Sequence, residues 1–352
     1  MHLNRSISPL EHVIYGHYKV VHAVRMALAF VLTFLAIRLF HEPEATWPLI
    51  TMVVVMGPIS FLGNVLIRAI QRIMGTVFGA ASGLVALYIE IYSLPLMLVW
   101  CALVMFMCGM LALGKRPYMG LLIGITLAIV CGAGPGEMDT ALWRSGNVII
   151  GSLFALFFTS IYPQKAFTHW RLMMSKELKN ISDFYSAHIS PNVLERPHLS
   201  AKHQQILNKL VRIRTLISPS LSETHINKDV FDAIQVMSRN LVSTLELLTD
   251  AYWATRESHF IILNATTLQV FQKLSINTLN ALSGALLSGN IDDGLSNLPE
   301  MGSISVELKH LMENATAEEN IEAPIYGYVW LNLELAKQLD ELRELVIMAL
   351  TE

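Results

Sequence analysis

Six long apolar runs fill the first half of this chain, and none follows Pro163. They lie near Val20–Phe40, Trp47–Val65, Ile73–Tyr92, Leu94–Leu113, Tyr118–Gly134 and Ser145–Tyr162. As a helix, the first would reach roughly 31 Å, enough for the hydrocarbon core of a bilayer. It is too long and too weakly flanked by small residues for a cleaved signal peptide. The pattern predicts a six-span membrane domain over residues 1–163.

Beyond Pro163 the period changes. Ile226, Val230, Ile234, Met237, Leu241, Leu245, Leu248 and Tyr252 step by four and three, one apolar stripe on an otherwise polar helix. Similar stripes cover Phe167–Ile189, Ser200–Leu216, Thr266–Leu287, Ser303–Met312 and Ile325–Leu350, with breaks at Ser190–Pro197, Ser218–Ser222 and Gly289–Pro299. Strand-like alternation is scarce. Residues 164–352 are expected to form a helical bundle, so the whole chain is all-α.

Composition agrees with a membrane protein. The hydrophobic fraction is 53% and only 15% of residues are charged, with a mean hydropathy of +0.47, too apolar for a soluble chain of this size. Charge also sets an orientation. Arg68/Arg72, Lys115/Arg116 and Lys165/Arg171 follow alternate runs, whereas Glu42/Glu44, Glu90 and Glu137/Asp139 mark the opposite ends. Basic loops stay in the cytoplasm, so both termini are expected there. Arg38 runs against this rule but sits at a helix end, where it can snorkel. After Pro163 lie 16 of the 25 basic and 22 of the 28 acidic residues, a net of −6, which argues against a nucleic-acid surface.

Several short patterns carry little. Cys101, Cys108 and Cys131 lie inside expected spans, as apolar fillers rather than a disulfide or metal framework. Gly109 to Arg116 nearly matches a phosphate-binding loop, but Arg116 replaces the hydroxyl and the segment ends a span. His12, His17 and His22 are spaced by five and share no helical face. Sequons at Asn180, Asn264 and Asn314 fall in the half placed in the cytoplasm. No nucleophile–base arrangement, metal site or cofactor motif is present, so an enzyme is disfavoured.

What remains is chemistry in the membrane half. Gly75, Gly79 and Gly83 fall four apart with Thr76 beside them, a small-residue face on which another helix can pack. Arg25 lies about a turn and a half inside the first run, on the same face as His22, with no Asp or Glu deep in any run. Ionisable residues at membrane depth mark function by default; the alternative is an arginine that snorkels to the inner interface. Arg68 and Arg72, at the inner mouth, would add positive potential and gather anions. Gly57-Pro58 interrupts the second run, and Gly132 to Gly136 dissolves the end of the fifth. Broken helices at membrane depth are tolerated where they line a cavity or are buried in protein, and transporters use them at binding sites. Arg72-x-x-Gly75 and Arg144-x-Gly146 open the third and sixth runs from opposite sides, a short hint of an inverted repeat.

These residues resemble a known family. Arg72-Ile-Met-Gly75-Thr76-Val-Phe-Gly79 is similar to the R-I-x-G-T-x-x-G signature of the fusaric-acid-resistance, or aromatic acid exporter, superfamily. His22-Ala-Val-Arg25-Met-Ala27 resembles its first-helix start, although a lysine is common there near the position of Arg25. Trp47 resembles the tryptophan opening its second helix, and Arg144 to Gly151 its sixth-helix start. Plant aluminium-activated malate channels are similar, more distant relatives. The resemblance implies six spans, a cytoplasmic helical domain and transport of organic anions, aromatic carboxylates foremost. Larger members carry two such membrane units, so this chain is expected to form a homodimer or higher homo-oligomer.

The expectation is therefore an inner-membrane transporter or channel for organic anions. Arg25 would be its main anion-coordinating residue, assisted by Arg72, Arg68 and His22. Gly57 and Pro58 would shape the path, and Gly75, Thr76, Gly79 and Gly83 would pack it. No cofactor or nucleotide site is expected. The rival from another class is a membrane-anchored scaffold or sensor whose helical domain binds a partner.

Overall fold

The computed structural model describes residues 6–40, 46–57, 61–114, 116–133, 138–189, 196, 200–255, 259, 262–291 and 323–351. Among these residues every regular element is a helix. The chain divides into two compact units, residues 14–165 and residues 1–13 with 166–352. Pro58, Glu42, Glu44, Glu137, Lys115, the Gly134-Pro135-Gly136 break and the expected Ser303–Met312 helix lie outside the described residues.

The first unit follows a short α1 (Pro9–Gly16) with α2 (Tyr18–Phe40), α3 (Thr46–Met56), α4 (Leu62–Glu90), α5 (Leu94–Ala112), α6 (Pro117–Ala133) and α7 (Met138–Ile161). Four of its helices are long and apolar enough to cross a membrane: α2, α4, α5 and residues Leu142–Ile161 of α7. The apolar helices Thr46–Met56 and Pro117–Gly132 are shorter.

Proline and glycine punctuate these helices as their backbones require. Pro117 opens α6 and Pro95 sits in the first turn of α5, where a missing N–H costs nothing. Gly57 ends α3 with φ at 51°, a left-handed conformation that glycine adopts without strain. The chain resumes at Phe61, and the Leu62 N–H donates to the Gln164 carbonyl at 3.1 Å.

The position of that break changes one expectation. The second run was expected to continue to Val65, with Arg68 and Arg72 in a loop before the third. Instead α4 starts at Leu62 and absorbs both arginines. The reason is visible in its buried face: Val65, Ala69, Arg72, Gly75, Thr76, Gly79, Gly83, Ala86 and Leu87 recur at helical spacing. Residues 62–72 continue that stripe, and the glycine at 57 breaks the backbone first.

Helix α4 packs against α6, α7, α5 and α3. Its glycine face meets α6 directly. A Cβ on Gly75 would lie 2.7 Å from Leu122 Cβ, and one on Gly83 would lie 2.6 Å from Val130 Cβ. Close backbone approach through small residues is how membrane helices gain packing energy. On the other side Ala29, Met52, Val55, Met56, Val65, Ala69 and Ala155 form one core shared by α2, α3, α4 and α7. Helices α2 and α5 are peripheral; α5 buries only Met97 and Cys108.

The second unit holds α8 (Ala166–His188), α9 (Ser200–Arg214), α10 (Ile217–Leu221), α11 (Lys228–Tyr252), α12 (Thr266–Ser288) and α13 (Ala323–Thr351). The stripes read from sequence match these helices to within a few residues, and α10 falls in an expected break. Helix α8 packs on α12, α9, α10 and α11. The Asn227 side chain caps α11 by accepting from the Asp229 N–H at 3.1 Å. Gly289 closes α12 with φ at 70°. Arg171, buried in α8, donates from Nε to the Leu286 carbonyl at 2.9 Å and lies over the Phe167 ring. Its guanidinium thus satisfies carbonyls that the end of α12 leaves open. Burial pulls the Arg171 pKa down to about 10.

Candidate functional site

The polar groups of the membrane unit collect at two levels. One surrounds the break at Gly57. His22, on α2, places Nε2 2.8 Å from the Gly57 carbonyl oxygen; facing a carbonyl, that nitrogen carries the proton and donates. Tyr18 stacks on Phe61 at 5.2 Å and more loosely on His22 at 6.2 Å. From α4, the Arg68 guanidinium occupies the space a side chain on residue 57 would need, because a Cβ there would lie 1.9 Å from Nη1. Arg25 and Arg68 both lie near His22. Three of the four residues expected to attract anions, His22, Arg25 and Arg68, are therefore brought together around Gly57.

Arg25 also has a structural task. Its Nη1 donates to the Tyr162 carbonyl at 3.4 Å, just past the end of α7. A cation there offsets the partial negative charge of the helix terminus.

The second level is a crevice lined by Trp47, Arg72, Thr76, Thr126, Arg144 and Ser145 on polar and aromatic sides, with Ile125, Ile129, Val130 and Val148 completing it. Its free interior has room for about one water molecule. Arg72 is only 7% exposed, and its Nε is sealed from solvent without a hydrogen-bond partner. A buried guanidinium inside an apolar helix bundle is costly, and such residues face a bundle interior or cavity. Here the crevice supplies that cavity, and α7 contributes a second arginine to it. Arg68 and Arg72 are one turn apart on α4, a rise of roughly 6 Å, so the two levels are contiguous. Tyr118, at the start of α6, lies against both of these arginines.

Gly75, Thr76, Gly79 and Gly83 fall on the packed face of α4, and Thr76 also lines the crevice. Arg144 was visible in sequence as an echo of Arg72 and in the Arg144 to Gly151 stretch that resembles the family's sixth-helix start, and neither signalled that the two arginines line one crevice. Trp47 was visible as a helix-opening tryptophan. Tyr118 gave no signal, because a tyrosine at the start of an apolar run reads as an interface residue.

Four helices long and apolar enough to cross a membrane, with Arg72 buried in the same unit, define an α-helical membrane protein. Residues 27–158 match the family described as fusaric acid resistance protein-like. The matched region contains the whole crevice, whereas His22 and Arg25 precede it. The chain is also 53% identical over 350 residues to the inner membrane protein YeeA of Escherichia coli strain K12, covering 99% of each chain. This chain belongs to the fusaric acid resistance protein-like family.

Proposed function

We propose that the protein is an inner-membrane transporter or channel that moves organic anions, aromatic carboxylates among them, out of the cytoplasm. The observation that carries this reading is Arg72: a cation buried in the helix bundle, on a crevice it shares with Arg144. Permanently charged guanidiniums at that depth suit a carboxylate, which they can hold through paired hydrogen bonds. The family and the relative's inner-membrane location support transport rather than catalysis. The leading role passes from Arg25 to Arg72, since Arg25 sits on the terminus of α7. Arg25, Arg68 and His22 then form an inner station around Gly57 that gathers anions before the crevice. Residues 1–163 supply six spans, with the shorter α3 and α6 completing the bundle, and residues 164–352 a cytoplasmic helical domain. The protein works as a homodimer or higher homo-oligomer, a reading that rests on the two-unit members of the superfamily.

The crevice has room for about one water, so passage of a ring requires α4, α6 and α7 to separate. That state is the closed one of a gated path. The test is flux from proteoliposomes loaded with benzoate, salicylate, malate or chloride. Carboxylate-selective flux that Arg72→Ala removes is the expected result. No flux of any anion from well-folded protein would return the chain to a membrane-anchored scaffold.

A further inference from the structure

We propose that Met97 and Cys101 of α5 and Cys131 of α6 form a three-sulfur site for a soft monovalent metal ion of the copper(I) or silver(I) class. Cys101 Sγ lies 3.7 Å from Met97 Sδ, one turn earlier on α5, and 3.9 Å from Cys131 Sγ across the α5–α6 contact. At the roughly 2.3 Å metal–sulfur distance of thiolate sites, three sulfurs in a plane around one ion stand about 4 Å apart. Both separations already suit such a site. The ion needs no wider cavity, because it takes the place of thiol protons between the sulfurs.

Thiolate and thioether donors select soft ions over hard ones. Among the described residues no three His, Cys, Asp or Glu side chains group as metal ligands, so the third donor here is a thioether. Zinc sites are built from Cys, His, Asp and Glu, usually in fours, which favours copper(I) or silver(I) at this position. Glu90, the last residue of α4, lies near Cys131, and its Oε2 is sealed from solvent without a hydrogen bond. A negative charge there attracts a cation and repels an anion, so this site is chemically distinct from the arginine crevice. Beside Cys101, Trp100 donates from Nε1 to the Ser82 carbonyl at 3.1 Å, which fixes this part of α5 on α4. Cys108 supplies the contrast: it packs in an apolar cluster with Met119 and Ile123 and fills space there. Binding exchanges the two thiol protons, which pass to water, for one metal ion held by two thiolates and a thioether. The ion keeps its oxidation state.

The experiment titrates reduced, full-length protein in detergent, under argon, with copper(I) held by a coloured chelator. The protein should withdraw one equivalent, and silver(I) should compete for the same site. X-ray absorption of the copper-loaded wild type should show three sulfurs at about 2.3 Å, a readout that needs no variant. Cys101→Ser and Cys131→Ser should each weaken binding by more than the roughly 10- to 100-fold that loss of an outer-shell partner costs. Met97→Leu, close in volume, should leave a shell of two sulfurs, and Cys108→Ser should bind as wild type does. Folded wild-type protein that leaves copper(I) with the chelator would overturn the site. So would nitrogen or oxygen donors in place of sulfur, tighter binding of zinc at the same cysteines, or undiminished copper(I) binding in folded Cys101→Ser and Cys131→Ser. None of these outcomes bears on anion flux, so the transport reading stands or falls by the proteoliposome assay alone.

Discussion

Gly79 of α4 lies against Thr126 of α6 so closely that a Cβ at position 79 would sit 2.5 Å from Thr126 Cβ and 2.8 Å from the Ile123 carbonyl oxygen. The obstructing atoms are a β-carbon and backbone, neither of which can swing away. Gly109, on α5, has nothing within 4 Å of the same position. The two glycines should therefore respond oppositely to enlargement. Gly79→Leu should cost upwards of about 1–3 kcal/mol, the usual range for overpacking. The measurements are thermal unfolding and size-exclusion profile in detergent. Gly109→Leu should match wild type in both. Equal behaviour of the two variants would mean that α4 and α6 are not packed through this face.

Arg72 and Arg25 are both basic residues in apolar helices, but their surroundings differ. Arg72→Ala should abolish carboxylate flux, and Arg72→Lys should retain a fraction of it, since charge survives without the planar fork. Arg25→Ala removes a donor from the end of α7 and should lower stability by about 0.5–1.5 kcal/mol while reducing flux only several-fold. Flux assays normalised to folded protein separate these outcomes. A greater flux loss in Arg25→Ala than in Arg72→Ala would restore Arg25 as the principal anion ligand.

Much of this architecture was legible in the spacing of apolar residues. The helices of the second unit follow their stripes because a 3.6-residue period is a direct imprint of one buried face. The glycine face was legible for the same reason. Arg68 and Arg72 were harder to place. Hydropathy windows put a boundary wherever charge appears, so two arginines looked like a loop. In the fold they share a helix with the glycines because Gly57, with its positive φ, breaks the chain earlier. The convergence of Arg72 with Arg144 on one crevice depends on which helices pack together. No local pattern encodes that.

Arg171 makes a separate prediction for the second unit. Its guanidinium donates to the Leu286 and Leu287 carbonyls at the end of α12. Arg171→Met keeps an unbranched apolar stem but removes the donor to the Leu286 carbonyl, while Leu287 still accepts from the Ile7 N–H, which should cost about 1–3 kcal/mol. Hydrogen exchange should show the loss concentrated at the end of α12 and along α8. Uniform exchange across the unit, with no local rise at α12, would mean that the contact is not what secures that terminus.

Orientation can be tested directly. With Arg68 and Arg72 inside α4, the inner charge bias rests on Lys19, Lys115, Arg116 and Lys165, and it still favours cytoplasmic termini. Reporter fusions after Leu113 and after Pro163 should both report cytoplasm, and one after Asp139 should report periplasm. A periplasmic signal after Pro163 would reverse the assignment of residues 164–352 to the cytoplasm.

The last prediction concerns acid stability. Burial of His169 in α8 pulls its pKa down to about 4 from an ordinary value of 6.5. Above pH 6.5 the imidazole is neutral in both folded and unfolded chains, so its contribution to stability is at its full value there. Between pH 6.5 and 4 the unfolded chain takes up a proton that the folded chain refuses, and stability falls with pH by up to about 3 kcal/mol. Burial also lowers the His188 pKa, which adds to this loss. Burial raises that of the Glu177 carboxyl, which opposes it, because the folded state then holds its proton at higher pH. Replacing one residue isolates one contribution. His169→Phe removes the titrating group, and melting temperature followed from pH 7.5 to 4.5 should fall less steeply in the variant than in wild type. Identical slopes would show that His169 takes up its proton as readily in the folded chain as in the unfolded one.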